Sequence, residues 1–479
     1  MRHIETDYLV VGAGASGMAF TDALIAADPD VDVVMVDRRH RPGGHWIDAY
    51  PFVRLHQPSA CYGVNSRVLG SDRIDETGPN AGFYERATAA EICDYYNRVL
   101  EEHLLPSGQV RFFGMSDYLG RDGGNGSDGH RFVSRVSGEI TTVKVRRRLV
   151  DTTYGEGTIP SRHTPAFEVD EDVRLIPPND LVNLSGTAGG YTVLGAGKTA
   201  MDSCCWLLDQ GVAPDRIRWI RPRDVWAFDR SATQPLELVG SYVEFMSRMV
   251  EAAAEARAEP TTSGAVVFGR LESHGLVHRL DESIEPAVFR GATLSKLEVK
   301  ALRQISNVVR KGRVRRISTD RVVLEEGSIS AEQGQVYVDC TASAVKVVPV
   351  RPVFEDDLFT MQIVTFGIVP WSAATLGYVE ASRDDDREKN RLCPPLGFTG
   401  ELADPPHAIY VGFKAPAERM AEPDIAAWNE SSRLNPMRGV ADHLDDTRVT
   451  EGFSRLAANM GPALANLERM LAGAEVTVG

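Results

Sequence analysis

Three observations predict an α/β protein built on two parallel-sheet units. A β-prone stretch, Asp7 to Val11, runs straight into Gly12-Ala-Gly14-Ala-Ser16-Gly17 and then into a helical pattern. The arrangement returns at Tyr191-Thr-Val-Leu-Gly195-Ala-Gly197-Lys198-Thr199-Ala200. In both places a second apolar strand follows the helix, Val31 to Val36 and Ile217 to Ile220. Strand, glycine turn, helix and strand together are the signature of a Rossmann-type dinucleotide-binding domain, here present twice.

Each piece of the first turn has a physical reason. Gly12 permits the tight turn, Gly14 lets backbone approach a pyrophosphate, and Gly17 lets helix and strand pack closely. The helix that follows carries Phe20, Ala23, Leu24 and Ala27 on one face and stops at Asp28-Pro29. Its N-terminus, with Ser16 in the first turn, offers unpaired N–H groups to a phosphate. Asp37 ends the second strand, suits ribose hydroxyls and repels a 2′-phosphate, so this site reads as one for FAD or NAD.

The second turn ends differently. Its outer strand closes on Arg221-Pro-Arg223-Asp224, and guanidinium groups pair well with phosphate. Gly195, Gly197, Lys198, Thr199 and Ala200 with Arg221 and Arg223 therefore read as a site for NADPH. The alternative for the two arginines is a solvated strand end. Gly197-Lys198-Thr199 is not a P-loop, because Thr192 stands where its first glycine belongs.

The bulk numbers bound the remaining classes. The chain has 479 residues, 43% hydrophobic and 25% charged, enough for two or three domains with a real core. A net charge of −15 argues against nucleic acid and against an anionic membrane surface. No apolar run reaches membrane-spanning length and no secretory signal is visible, so the expected location is cytoplasmic. Six cysteines without a CxxC spacing predict neither a disulfide framework nor a redox dithiol. Cys204 and Cys205 read as helix packing. His274 and His278 are four apart but lack a third ligand, so no metal is expected.

After Asp37 the chain reads Arg38-Arg-His-Arg-Pro-Gly43-Gly44-His45-Trp46. An acid, a short basic stretch and then Gly-Gly-x-Trp, between two such turns, resembles the flavin-containing monooxygenases and their Baeyer–Villiger and N-hydroxylating relatives. The resemblance runs from residue 7 to about residue 345. It places Tyr50 to Gly63, with Arg54, His56 and Gln57, beside the isoalloxazine ring. It places Leu149 to Gly155 and Val338 to Ala342 at two further strand-end turns. It implies FAD held by Gly12, Gly14, Ser16, Gly17, Asp37, Arg38, Gly44, His45 and Trp46, with Arg54, His56 and Gln57 as catalytic candidates.

Those assignments keep their alternatives. Gln57 is either a flavin-side amide or a loop residue satisfying backbone, and Trp46 either touches the ring or packs. The resemblance also implies a split FAD domain, residues 1–180 and 330–479, with the NADPH domain at 181–329 inserted. A mostly helical insertion is expected at about 240–310 (Tyr242 to Ala258, then Leu294 to Val309), acting as a lid or subunit contact. A Gly/Asp/Asn-rich turn is expected at 120–129.

The implied activity is NADPH-dependent insertion of one oxygen atom into a small organic substrate through a C4a-peroxyflavin. The partners are then that substrate and oxygen, with a homo-oligomer as an open possibility. One element departs from the pattern: the F-x-G-x-x-x-H-x-x-x-Y/F run before the second turn is absent. His163-Thr-Pro-Ala-Phe167 keeps only its second half. An FAD/NAD(P)H reductase or dehydrogenase using an acceptor other than oxygen is the alternative.

Overall fold

The computed structural model describes residues 2–121, 129–186, 188–256, 263–344, 346–366, 368–397, 400 and 404–475. The expected turn at 120–129 lies almost wholly outside them.

The first sheet is built around the strand Arg2–Val11, whose Tyr8, Leu9 and Val10 are fully buried. It pairs in parallel with Val33–Val36 on one side and Ile140–Asp151 on the other. Val110–Phe113 extends one edge, and Leu358–Thr360 with Phe354–Glu355 the other. An antiparallel hairpin, Ser116–Arg121 with Gly129–Ser134, returns to the long strand Ile140–Asp151. Val11 stands opposite both Val36 and Asp151, so three strand ends meet at one place.

The helix Ala15–Ala27 lies on this sheet and is buried along most of its length. Its outer face is covered by the helix Val369–Ser382, which lies beyond the residues that the resemblance covers. Gly377 makes that approach possible: a Cβ there would stand 2.5 Å from the Phe20 carbonyl oxygen.

The second sheet is wholly parallel, in the order Val308–Val309, Ile217–Ile220, Gly190–Leu194, Gln335–Asp339, Leu175–Ile176. Two of its strands, 175–176 and 335–339, fall outside the 181–329 segment read for this unit. Parallel pairing joins strands distant in sequence, so a linear split of the chain cannot place them.

The insertion differs in part from expectation. A helix does form at Val239–Glu255, from a recurring apolar stripe that includes Tyr242, Val243, Met249 and Val250. The stretch Leu294 to Val309 is not one helix. It is the end of strand Val288–Leu294, a seven-residue helix Lys296–Leu302 with a Ser295/Glu298 capping box, and the strand Val308–Val309. The apolar face of Val239–Glu255 is covered within the chain by the C-terminal helix Thr447–Glu475. Phe245, Met249, Ile409 and Leu467 share that core. Among the described residues no helix is long and apolar enough to cross a membrane.

Candidate functional site

The first glycine turn is held by contacts that leave no room for side chains. Gly12 has φ +102°, a left-handed conformation that favours glycine. A Cβ on Gly17 would lie 2.1 Å from the Gly12 carbonyl oxygen. Gly44, itself at φ +58°, comes so close that its Cβ would stand 2.8 Å from the Gly14 Cα. The Gly43-Gly44 turn thus lies directly over the turn at Gly14, and Ser16 is half-buried in the first helical turn beside it.

Asp37 is 5% exposed and grips the turn from the strand end. Its two carboxylate oxygens accept the N–H groups of Ala13 and Arg39, each at 2.7 Å. Each oxygen keeps a lone pair for a further donor. Arg38 is ion-paired with Glu156, and Arg39 donates to Asp48 at 2.9 Å.

The residues after Gly44 divide by role. Trp46 is buried and donates its indole N–H to the Tyr62 hydroxyl (2.7 Å), with the rings edge-on at 6.1 Å. Its polar handle is therefore spent on packing. His45 is exposed, with its ring 4.9 Å from that of Trp46. Gln57 is half-buried, and among the described residues its amide finds no hydrogen-bond partner. Arg54 is exposed and donates to the Arg86 carbonyl at 3.0 Å.

The second turn repeats the backbone of the first with looser surroundings. Gly195 has φ +123°, and a Cβ there would meet the Cys340 carbonyl oxygen at 2.6 Å. Nothing lies within 4 Å of a Cβ on Gly197, which caps the helix Lys198–Asp209. Thr199 is half-buried in the first helical turn. Ala200, fully buried, stands where the first turn has Gly17.

Arg221 is neither a solvated strand end nor a free phosphate ligand. It is 2% exposed, pairs with Asp224 at 2.8 Å and lies over the Trp219 ring at 4.9 Å. Burial pushes its guanidinium pKa down, and its Nε has no partner. A phosphate would have to draw it from this nest. Arg223 is half-buried and also engaged.

The two turns are tied across one junction. Tyr50 donates its hydroxyl to Asp202 (2.7 Å), which is ion-paired with Lys198, and Phe52 stacks on Trp206 at 5.1 Å. His56 feels this junction: burial, and then Lys198, pushes its imidazole down to about 4, so it is neutral near pH 7. A cleft of about 750 Å³ opens alongside, lined by Phe52, Arg54 and Arg86 on one side and Trp206, Leu297 and Glu298 on the other.

Sequence reading missed two groups. Arg433 is buried and donates to the carbonyls of Val64 (3.0 Å), Ala60 (2.9 Å) and Tyr62, fixing the loop that follows Gln57. Arg86, Arg230 and Glu298 form a buried cluster drawn from three distant segments. No local spacing announces either. All six cysteines are free thiols. His278 bonds Asp229 at 2.7 Å, while His274 approaches Glu251.

The fold and its two glycine turns define an α/β protein with two Rossmann-type units. Residues 10–56 match the family model described as an NAD(P)-binding Rossmann-like domain. The solved polycyclic ketone monooxygenase of the fungus Thermothelomyces thermophila has the same fold. It is 12% identical at a TM-score of 0.54, over 94% of this chain and 89% of that one. A steroid monooxygenase structure bound to NADP matches at 13% identity and a TM-score of 0.50, over 79% and 85%. In sequence, the chain is 42% identical over 472 residues to the uncharacterized protein Rv2000 of Mycobacterium tuberculosis, covering 97% of this chain and 85% of the relative. Mb2023 of Mycobacterium bovis matches equally. The chain belongs to the family of these mycobacterial proteins.

Proposed function

We propose that this protein is a flavin-dependent monooxygenase that binds FAD at the first turn, takes reducing equivalents from NADPH at the second, and oxygenates a small organic substrate. The observation that carries the reading is the Tyr50–Asp202 bond, because it joins the loop after Gly44 to the helix after Gly197 at one junction. The residues present fit both groups. The first turn is a cradle that a Cβ would fill, and the space at Gly197 is open to close approach by a phosphate. When bound, FAD supplies the redox and oxygen chemistry and NADPH the hydride.

The chain's own residues bind, orient and exclude water. Gly12, Gly14, Ser16, Gly17 and Gly44 shape the first cradle, Asp37 accepts from the adenosine ribose, and Arg38, His45 and Trp46 line its approach. Gly195, Gly197, Lys198, Thr199 and Ala200 shape the second, with Arg223, and Arg221 once drawn from Asp224, toward the 2′-phosphate. Neutral His56 has a lone pair to accept a proton, and the unpartnered Gln57 amide has donors to offer a reacting oxygen. Arg54 adds a positive charge at the substrate side. Buried Trp46 and Tyr62 make the wall dry, which protects a water-sensitive reaction.

The test is NADPH consumption by the FAD-loaded protein in air, with oxygen and peroxide followed together. Peroxide without substrate, giving way to an oxygenated product as an amine, thioether or ketone is added, is the expected result. Slow reoxidation in air and fast reoxidation by an organic acceptor would instead make it a reductase.

A further inference from the structure

The interdomain cleft carries charges of both signs, with Asp75 half-buried among them. Arg86 (8% exposed) and Glu298 (7%) form its buried wall, with Arg230 (0%) bonded to the same glutamate. Glu76 and Asp209 lie on its exposed side.

The buried charges do not balance. Arg230 pairs closely with Glu298, Arg86 reaches it only at 3.7 Å, and Glu298 also accepts the Ser295 N–H at 2.8 Å. Lys198 is matched by Asp202. Three cations therefore face two carboxylates, and the Nε atoms of both arginines are buried without a partner. Burial, and then Arg230, pushes the Arg86 guanidinium down to about 10, as expected for a cation short of a counter-charge. A buried uncompensated charge is strongly disfavoured, and an arriving anion relieves it. Arg54 and Arg73 stand on the same cleft as exposed guanidinium groups, Arg73 paired with Glu85 at 3.1 Å.

We propose that the cleft receives a small organic monocarboxylate, its carboxylate on Arg86 and Arg54 and its apolar body on Phe52, Trp206 and Leu297. That this ligand is the substrate rests on the oxygenase reading above; that it binds does not. Guanidinium forks match carboxylate geometry, which gives the head group its orientation. The stacked Phe52–Trp206 pair offers an aromatic wall. Glu76 and Asp209 repel a second negative charge, so a dicarboxylate binds poorly. Desolvation, and then the charge of Glu298, already raises the Asp209 carboxyl pKa.

The experiment is calorimetric titration of the FAD-loaded protein with hydrocinnamate, its neutral amide and phenylsuccinate. Hydrocinnamate is expected to bind at least about tenfold more tightly than either, and R54Q to lose roughly tenfold for the acid alone, the range for one charge-assisted contact. R86Q should lose more, with a thermal melt checking that it folds; R54Q, at an exposed position, keeps the test open if it does not. Equal binding of acid and amide overturns the proposal. So does one-for-one displacement of hydrocinnamate by NADP⁺, which would give the arginines to the dinucleotide. Binding is read without turnover. An acid that binds as expected but is never oxygenated supports the site and counts against the oxygenase reading.

Discussion

The two glycine turns share a backbone and differ in everything around it. At the first, Gly17 touches Gly12, Gly44 presses on Gly14, and Asp37 ties down the N–H of Ala13. At the second, Ala200 carries the side chain that Gly17 cannot, the space at Gly197 is open, and Arg221 is folded against Trp219. The first is sterically closed to any side chain and the second is more open. On the function proposed above, that is the division expected between a resident group and a reductant that turns over.

The sharpest break of this contrast is Gly17→Ala. Its Cβ meets a backbone oxygen that cannot move aside, so a loss of roughly 3 kcal/mol or more and colourless protein are expected in thermal melts and flavin assay. Normal flavin content in that variant would remove the cradle argument.

Asp37→Ala comes next. It strands two buried N–H groups, those of Ala13 and Arg39, at about 1–3 kcal/mol each. The melting temperature should fall and flavin should dissociate on dilution.

Arg221→Ala at the second turn should cost less stability, roughly 1–3 kcal/mol, because Arg310 still holds Asp224 at 2.8 Å. If Arg221 reads the 2′-phosphate, KM for NADPH rises roughly ten- to a hundredfold while KM for NADH stays put. Parallel changes in both would leave Arg221 a packing residue.

At neutral pH the smallest effect lies at the junction, because it develops only in acid. The His56 pKa falls from 6.5 to about 4 on folding. Between those values the unfolded chain takes up a proton that the folded chain refuses. Stability is therefore complete above about pH 6.5 and declines as pH falls toward 4. His56→Gln should flatten that part of a denaturation-versus-pH curve; an unchanged slope would place His56 in solvent.

Much of the first unit was legible because its signals are local. A left-handed φ at Gly12 and a helix beginning at Gly14 depend on neighbours a few residues away. Asp37 was read as the acid at the end of the second strand, and it does follow Val36, but its grip on the Ala13 N–H was not foreseen. Arg221 shows the limit. A strand-end arginine looks exposed in sequence, and only the packing of Trp219 and Asp224 puts it inside. The stretch from Leu294 to Val309 misled for a related reason. Its apolar residues satisfy a helical period, but the strand Val288–Leu294 is fixed by pairing with Val225–Asp229.

The sequence by itself determined the two strand–turn–helix units, the acid at the end of one and the arginines at the end of the other. Sterics and short-range hydrogen bonding decide such features before the chain is compact. Tertiary structure alone decided that strands 175–176 and 335–339 complete the second sheet. It also covered the helix Val239–Glu255 with the C-terminal helix, and set Arg433 to hold the loop at 60–64. The cluster of Arg86, Arg230 and Glu298 belongs to this second group. Residues from three segments this far apart in the chain carry no mutual spacing, and their charges interact only once folding has removed the water between them.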